Sequence, residues 1–208
     1  MKIKNVKVYG LEESIKASGY PMKTDEPEEF ILDSNDYARA KNLSNTPKSS
    51  GHSNFRKGIL ISFDIKYPQY WSLQFQRYNF AEIVSSQSKM HKLMSIKNVK
   101  TQCNRFVLQN VMLDRINWLI EVYNKGGFDE EIIVDNILIK NKLDLFYTII
   151  SSLPMGYEMW MRVTTNYEQL STIYYQRKNH KLKHDWGYFC NWIKTLPMAK
   201  ELITRGNV

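Results

Sequence analysis

The sequence has few cysteines and lacks the residue spacings of the common metal and cofactor motifs. Its two cysteines, Cys103 and Cys190, form no C-x-x-C pair, which excludes a disulfide framework and the usual zinc sites. There is no G-x-S-x-G, P-loop, H-E-x-x-H or G-x-G-x-x-G motif. Four histidines are scattered along the chain, at His52, His91, His180 and His184. His180 and His184 have no third ligand near them, so we expect no metal site, and no motif identifies an enzyme class.

Long hydrophobic runs are also absent. No apolar stretch approaches the roughly 18 residues that a membrane-spanning helix needs. The first residues, MKIKNVKVYGLEES, alternate as a strand does and lack the apolar core of a signal peptide. We therefore expect a cytoplasmic protein with no membrane partner.

The chain does have the composition of a folded, basic protein. Hydrophobic residues make up 43% and aromatic residues 13% of its 208 residues, enough for the core of one domain, which we expect to span residues 1–208. Lysine and arginine number 29 against 21 aspartates and glutamates, a net charge of +8. This excess favours an anionic partner, either a nucleotide, a nucleic acid or an acidic lipid surface, although a solvated lysine-rich surface explains it equally well.

The clearest element is a strand after residue 58, in which every second residue is apolar. One face carries Ile59, Ile61, Phe63, Ile65 and Tyr67. Pro68 ends this strand, and a helix is predicted from about residue 70 to a serine-rich end near 85–88. The other predicted elements are strands at 2–8 and 159–164 and helices at 28–39, 104–124, 129–150, 166–182 and 184–203. The class is α+β, and we see no recognition helix or aromatic platform for a nucleic acid.

Two polar segments flank the strand. The turn GHSNFRKG, residues 51–58, exposes backbone N–H groups that could hold an anion, or it is an exposed loop. The segment WSLQFQRYNFAEIVSSQSKMHKL, residues 71–93, brings serines next to Lys89, His91 and Lys92. Hydroxyls and cations of this kind bind phosphate, but basic residues also complement the dipole at a helix end.

The helix that begins near Asn166 contains a third segment with polar residues that need an explanation. Thr165 or Asn166 can cap it, and an apolar stripe of Leu170, Ile173 and Tyr174 follows. Arg177 continues this stripe although arginine is rarely buried without a partner. Its side chain either extends to solvent, pairs with a carboxylate such as Glu168 or Asp185, or faces a ligand cleft.

These three segments, in this order, resemble the flavin-dependent thymidylate synthases. GHSNF followed by ILISFDIKYP is similar to the turn and strand before the family signature R-H-R-x-x-S-x-N-x-x-S-x-R, and QFQRYNFAEIVSSQSKMHKL matches the signature segment without gaps. LPMGYEMWMRVTTNYEQL is similar to the stretch that leads to the family's N-A-R-S-L, and NHKLKHDW is similar to its R-x-x-x-H-A-Q-W helix with a slip of two residues. The resemblance covers roughly residues 50–95 and 150–195.

The resemblance implies a central antiparallel sheet with packed helices and a homotetramer that binds FAD and dUMP at subunit interfaces. It implies methylation of C5 of the uracil with methylene-tetrahydrofolate and NADPH. The positions that it assigns to the nucleotide are Gln74, Arg77, Ser85, Ser86, Gln87, Ser88, Lys89 and Arg177. The positions that it assigns to the flavin are His52, Arg77, Tyr78, Asn79, Asn166 and His180. No catalytic residue is assigned.

The chain departs from the family pattern mainly at flavin positions. The R-H-R triplet is Arg77-Tyr78-Asn79, and Glu82 and Gln87 replace the two serines of the signature. Glu168 stands in place of the arginine of N-A-R-S-L and would repel a pyrophosphate. Two functions therefore stand open: a divergent C5-methylating enzyme acting on dUMP or a relative, and a protein on the same scaffold that has lost flavin and sequesters a nucleotide or nucleotide-derived signal.

Overall fold

The computed structural model describes residues 1–26, 31–47, 50–109, 111–126 and 131–205. They fall into two compact units. Unit 1 comprises Met1–Ile65, Phe75–Ser85 and the chain from Arg162 onward, and unit 2 comprises Lys66–Gln74 and Ser86–Met161. The single domain expected over 1–208 stays a prediction.

The strands and helices alternate irregularly along the chain. The strands are β1 (Lys2–Tyr9), β2 (Leu60–Pro68), β3 (Glu82–Ser86), β4 (Ile132–Val134), β5 (Ile137–Ile139) and β6 (Glu158–Asn166). The helices are α1 (Leu11–Ala17), α2 (Ser34–Ser44), α3 (Gln69–Phe75), α4 (Lys89–Lys92), α5 (Val111–Lys125), α6 (Lys142–Ser151), α7 (Tyr167–Arg177), α8 (Tyr188–Ile193) and α9 (Ala199–Leu202). Within the described ranges, no helix has the length and apolar character to cross a membrane.

An antiparallel sheet with the strand order β1-β2-β6-β3 is the centre of the fold. The predicted α+β class and central antiparallel sheet are confirmed. The predicted faces of β2 are confirmed as well, because Ile61, Phe63 and Ile65 are fully buried while the residues between them are not. Strands were also expected at 2–8 and 159–164, and β1 and β6 confirm both.

The helix predicted from residue 70 to about 85 is wrong in its second half. It ends at Phe75, where two tight turns follow, with Tyr78 N donating to Phe75 O at 3.1 Å and Ala81 N to Tyr78 O at 3.0 Å. The next residues form β3 because Ile83 and Val84 are β-branched and favour a strand.

The helix predicted over 129–150 is also wrong in its first half, of which residues 129 and 130 lie outside the described ranges. Strands β4 and β5 form an antiparallel hairpin through Asp135 and Asn136, which have φ of 49° and 66°. Two consecutive residues in the left-handed region are typical of the tight turn of a hairpin. The helical part begins after Asn141, whose side chain caps α6 by accepting from Leu143 N and Asp144 N.

Other helix boundaries differ from the prediction because local side chains compete for the backbone. Helix α5 begins at Val111 and not at 104, where Asn104 Oδ1 accepts from Phe106 N at 3.0 Å in a turn. Its predicted end is confirmed, since Gly126 has a φ of 73°. The helix expected at 28–39 is α2, which Asp33 caps, and residues 27–30 lie outside the described ranges. The helix expected at 184–203 is divided into α8 and α9.

Each unit has its own hydrophobic core. In unit 1, Phe63 of β2 packs against Trp192 and Phe189, with ring centres 4.6 Å and 6.0 Å away. The stripe predicted on α7 is buried there, which confirms it: Leu170 and Ile173 are fully buried. The core of unit 2 comprises Leu93, Val99, Leu113, Ile116, Leu119, Ile120, Val134, Ile139, Leu145, Ile149 and Tyr157.

A buried ion pair holds three segments of unit 1 together. The guanidinium of Arg56 is fully buried and its Nη2 pairs with Glu168 Oε2 at the start of α7. Its Nη1 donates to Leu202 O at 2.7 Å, and Ser53 Oγ donates to the same Glu168 oxygen at 3.4 Å. Burial lowers the pKa of Arg56, while the Glu168 charge opposes that shift.

We predict that Glu168→Gln lowers the free energy of unfolding by about 3–5 kcal/mol, because it leaves the Arg56 charge buried without its counter-ion. Urea unfolding followed by circular dichroism measures the loss. The control is Asp114→Asn, which breaks the pair with Lys100 at side chains that are 63% and 30% exposed. That change should cost no more than about 1 kcal/mol, and equal losses for both variants would contradict the structural importance of Arg56.

Candidate functional site

Lys89 is one of the nucleotide positions that the resemblance implies, and it lies in a partly buried, polar setting. It starts α4, which two residues separate from the end of β3, and its Nζ donates to Gln69 Oε1 at 2.6 Å. Burial lowers its pKa, because desolvation disfavours the charged ammonium. An amide oxygen only partly replaces lost water, so this ammonium gains further from an anion.

A cavity of about 160 Å³ lies beside Lys89 in unit 2. Its lining residues are Gln87, Ser88, Lys89, Lys92, Ser95, Ile96, Gln102, Tyr157 and Met159. This set includes two lysines and no carboxylate. The volume is several times that of a water molecule, about 30 Å³, yet smaller than the 300 Å³ or more of an ordinary ligand pocket. It suits one charged group of a larger ligand.

Gln87 fixes the backbone that presents Ser88 and Lys89. Its N–H donates to Trp160 O at 2.9 Å, and its Oε1 accepts from Trp160 N at 3.0 Å. The side chain therefore extends the ladder of β6 past the end of β3. Gln87 positions the cavity wall through these two bonds to the Trp160 backbone.

Arg177, in unit 1, is held between aromatic side chains. Its Nε donates to Tyr78 Oη at 2.7 Å, and Tyr78 Oη donates to Gln176 Oε1 at 3.1 Å. The guanidinium carbon lies 4.6 Å from the ring centre of Trp186 and 5.6 Å from that of Tyr78. Cation–π contact and the hydrogen bond orient the half-buried guanidinium.

Comparison with known proteins gives matches among solved structures alone. No family model matches the sequence, and no curated protein matches it. Solved structures do match. The crystal structure of the flavin-dependent thymidylate synthase ThyX from Helicobacter pylori complexed with FAD and dUMP is 15% identical, covers 98% of both chains and has a TM-score of 0.62. A second structure of that protein with FAD and dUMP is 16% identical, covers 98% of this chain and 97% of the other, and has a TM-score of 0.64.

This chain has the flavin-dependent thymidylate synthase fold. The match extends over nearly all of both chains, so it includes the segments outside the sequence resemblance. At this level of identity it establishes the fold, and the chemistry has to be argued from the residues present.

Three of the side chains that the resemblance assigns to the flavin make local structural contacts. Asn166 caps α7 by accepting from Gln169 N at 2.8 Å, which confirms the predicted cap. Tyr78 is buried, which raises its pKa, and it is bonded to Arg177. His180 Nδ1 accepts from Leu182 N at 3.1 Å, and burial and the nearby Arg177 and Lys181 lower its pKa. Each of these three side chains is therefore already engaged by a contact within unit 1.

The other implied positions are divided between the units. His52, Arg77, Asn79 and Ser85 are exposed in unit 1, while in unit 2 Ser86 is exposed and Gln74 half-buried. Of the implied nucleotide positions, the structure brings Gln87, Ser88 and Lys89 together at the cavity. Gln74 does not line it.

Sequence reasoning grouped Lys92 with Lys89 in one basic segment, but it missed Ser95 and Gln102 of the cavity lining and the contact between Gln69 and Lys89. Gln69 is the first residue of α3, and the rest of that helix, two turns and β3 separate it from Lys89. No spacing rule links the two residues. Lys92, in contrast, lies one helical turn after Lys89, so a short helix after the serines would have placed both ammonium groups on one side.

Glu168 has a different role from the one that the sequence suggests. Its carboxylate is the counter-ion of Arg56. The glutamate is therefore explained by the fold of unit 1, and the predicted repulsion of a pyrophosphate is not needed to account for it.

We predict that Arg177→Ala lowers the free energy of unfolding by about 1–3 kcal/mol, since it removes one hydrogen bond and two cation–π contacts. Arg177→Lys should recover only part of the loss, because lysine lacks the planar group that stacks on Trp186. Urea unfolding measures both, and a loss below about 0.5 kcal/mol for the alanine variant would show that these contacts contribute little.

Proposed function

We propose that this chain binds a pyrimidine nucleotide, dUMP or a close relative, and holds its phosphate at Lys89. The observation that carries the proposal is the desolvated ammonium of Lys89 beside a cavity with Lys92 and Ser88 and with no lining carboxylate. The similar Helicobacter pylori enzyme is complexed with dUMP, which supports the choice of nucleotide.

The energetics favour a phosphate over a neutral ligand. A partly buried ammonium that has lost water gains more from an anion than an exposed one, because the effective dielectric constant is lower. Ser88 and the ammonium of Lys92 supply donors for the remaining oxygens. Lysine provides a point charge without the two-pronged geometry of arginine, so the position of the phosphate depends on these neighbours.

Arg177 is proposed as a second nucleotide residue on the resemblance alone. Its guanidinium is already oriented by Tyr78 and Trp186, and a fixed cation binds an anion with a smaller loss of side-chain entropy. The homotetramer and the cytoplasmic location also stay predictions.

We predict that Lys89→Gln weakens dUMP binding by about 2–5 kcal/mol, the range for removing one partner of a buried charge pair. Isothermal titration calorimetry at fixed ionic strength measures the affinity. The control is Lys125→Gln at the end of α5, an exposed lysine outside the cavity with the same loss of charge. If both variants weaken dUMP binding equally, the effect comes from the net charge of the protein, and a phosphate site at Lys89 is excluded.

Methylation of C5 of dUMP is the second candidate function. It is favoured by the fold match over nearly all of both chains to an enzyme complexed with FAD as well as dUMP. Nucleotide binding without flavin, the first candidate, is favoured because the side chains of Tyr78, Asn166 and His180 are engaged in local contacts.

We predict that the purified protein is colourless and that calorimetry detects no FAD binding, because three of the implied flavin positions, Tyr78, Asn166 and His180, are engaged in structural contacts. Tight FAD binding, together with formation of dTMP from dUMP, methylene-tetrahydrofolate and NADPH, would establish the enzymatic function. dUMP binding in the absence of FAD distinguishes the nucleotide-binding protein from both a flavoenzyme and an inactive scaffold.

A further inference from the structure

Unit 1 contains a second, larger polar cavity of about 570 Å³. It is bordered by the end of α7, the connection that follows and α8. The lining residues are Tyr174, Lys178, Asn179, His180, Lys183, Gly187, Tyr188, Cys190, Asn191 and Lys194. The volume lies within the range of about 300–1,000 Å³ that small-molecule sites occupy.

The charge of this cavity is positive throughout. Its lining includes Lys178, Lys183 and Lys194 and no carboxylate. Residues 177–194 contain five lysines and arginines and one acidic residue, Asp185. Within the described part of the chain, Lys183 and Lys194 form no ion pair. Like charges gathered around one concavity repel each other, and an anionic ligand relieves that repulsion.

Gly187 lines the cavity, and its backbone does not need a glycine. Its φ and ψ are −63° and −42°, ordinary helical values. A Cβ built on it would meet no atom within 4 Å. Glycine in a helix costs about 0.5–1 kcal/mol relative to alanine, and neither strain nor crowding explains it here. Any side chain at this position would instead occupy space at the cavity wall.

The backbone before Gly187 is unusual as well. Residues Lys183–Gly187 form a π-helical turn, a rare conformation that is frequent at functional sites. The wide turn places Lys183 and Gly187 on the same cavity. Lys178 is held from the other side, where its Nζ lies 5.1 Å from the ring centre of Tyr175.

This cavity is separate from the nucleotide residues. Arg177 does not line it, because its guanidinium lies against Tyr78 and Trp186. Lys89 belongs to unit 2 and lines the smaller cavity. Only His180 is shared with the positions that the family resemblance assigns to the flavin.

We propose that this cavity binds a small polyphosphorylated anion, a molecule with at least two phosphate groups, independently of the pyrimidine nucleotide. Three ammonium groups around one space match several negative charges better than one. The side-chain amides of Asn179 and Asn191 supply further donors. Free polyphosphate and a nucleoside polyphosphate share this chemistry, and Tyr188, which is 41% exposed, offers a ring to the base of the latter.

The test is calorimetric titration of inorganic tripolyphosphate at fixed ionic strength, in the Lys89→Gln variant so that the nucleotide site does not contribute. We expect one binding site. Changing Lys183 and Lys194 together to Gln should weaken it about ten-fold or more, the sum of two solvent-accessible charge contacts. Gly187→Leu should abolish it without lowering the melting temperature, because the leucine fills open space and keeps every charge.

The control is Lys181→Gln, an exposed lysine of the same segment that does not line the cavity. It should leave the affinity within about two-fold. Equal weakening by Lys181→Gln, unchanged binding in Gly187→Leu, or no binding to the Lys89→Gln protein at millimolar tripolyphosphate would each overturn the proposal. If Gly187→Leu lowers the melting temperature, the double lysine variant decides.

Titration with ATP separates the two sources of the ligand. Tighter binding of ATP than of tripolyphosphate would identify a nucleoside polyphosphate, and equal binding would identify the phosphate chain alone. A single-stranded oligonucleotide that binds wild type and Gly187→Leu alike would overturn the cavity as the site and assign the charge to a nucleic-acid surface.

Discussion

The fold of unit 1 depends on where the buried charge of Arg56 is neutralised. Glu168 supplies the carboxylate, and Leu202 supplies a carbonyl, so the turn before β2, the first turn of α7 and the end of α9 must meet at one point. Ser171 Oγ, one turn along α7, donates to Ile203 O at 2.9 Å and reinforces the contact. Helix α7 is thereby fixed at its start, and its far end carries both Arg177 and Lys178.

Lys89 and Arg177, the two cations proposed to bind the nucleotide, are held in position in two different ways. Lys89 is kept in place by one amide oxygen and loses much of its water. Arg177 is kept in place by aromatic faces, which suit a planar, weakly hydrated cation. Each residue type therefore suits the groups that hold it. A lysine at position 177 would lose the stacking on the aromatic rings, and an arginine at position 89 would be crowded.

Sequence reasoning found the elements whose pattern is local and strong. The alternation in β2, the cap and stripe of α7 and the glycine after α5 each depend on residues close together in the chain. It failed at β3 and at the β4–β5 hairpin, where a mixed polar and apolar segment also fits a helix and the decision comes from pairing with another strand. The partners of Lys89, Arg177 and Glu168 could not be predicted either, because Gln69, Tyr78 and Arg56 are distant in sequence and meet only in the folded chain.

The order of the segments in unit 1 has a consequence for synthesis on the ribosome. Phe63 leaves the ribosome early, but its partners Phe189 and Trp192 are near the end of the chain. Residues 86–161, the larger part of unit 2, are made in between, and the hydrophobic cluster of unit 2 described above consists of residues within that stretch. This cluster of unit 2 can therefore become buried before Phe189 and Trp192 are synthesised. Until then, the apolar face of β2 stays exposed to solvent. A nascent chain of this kind is exposed to aggregation until its last helices emerge, and expression of the intact protein should benefit from chaperones that bind extended apolar strands.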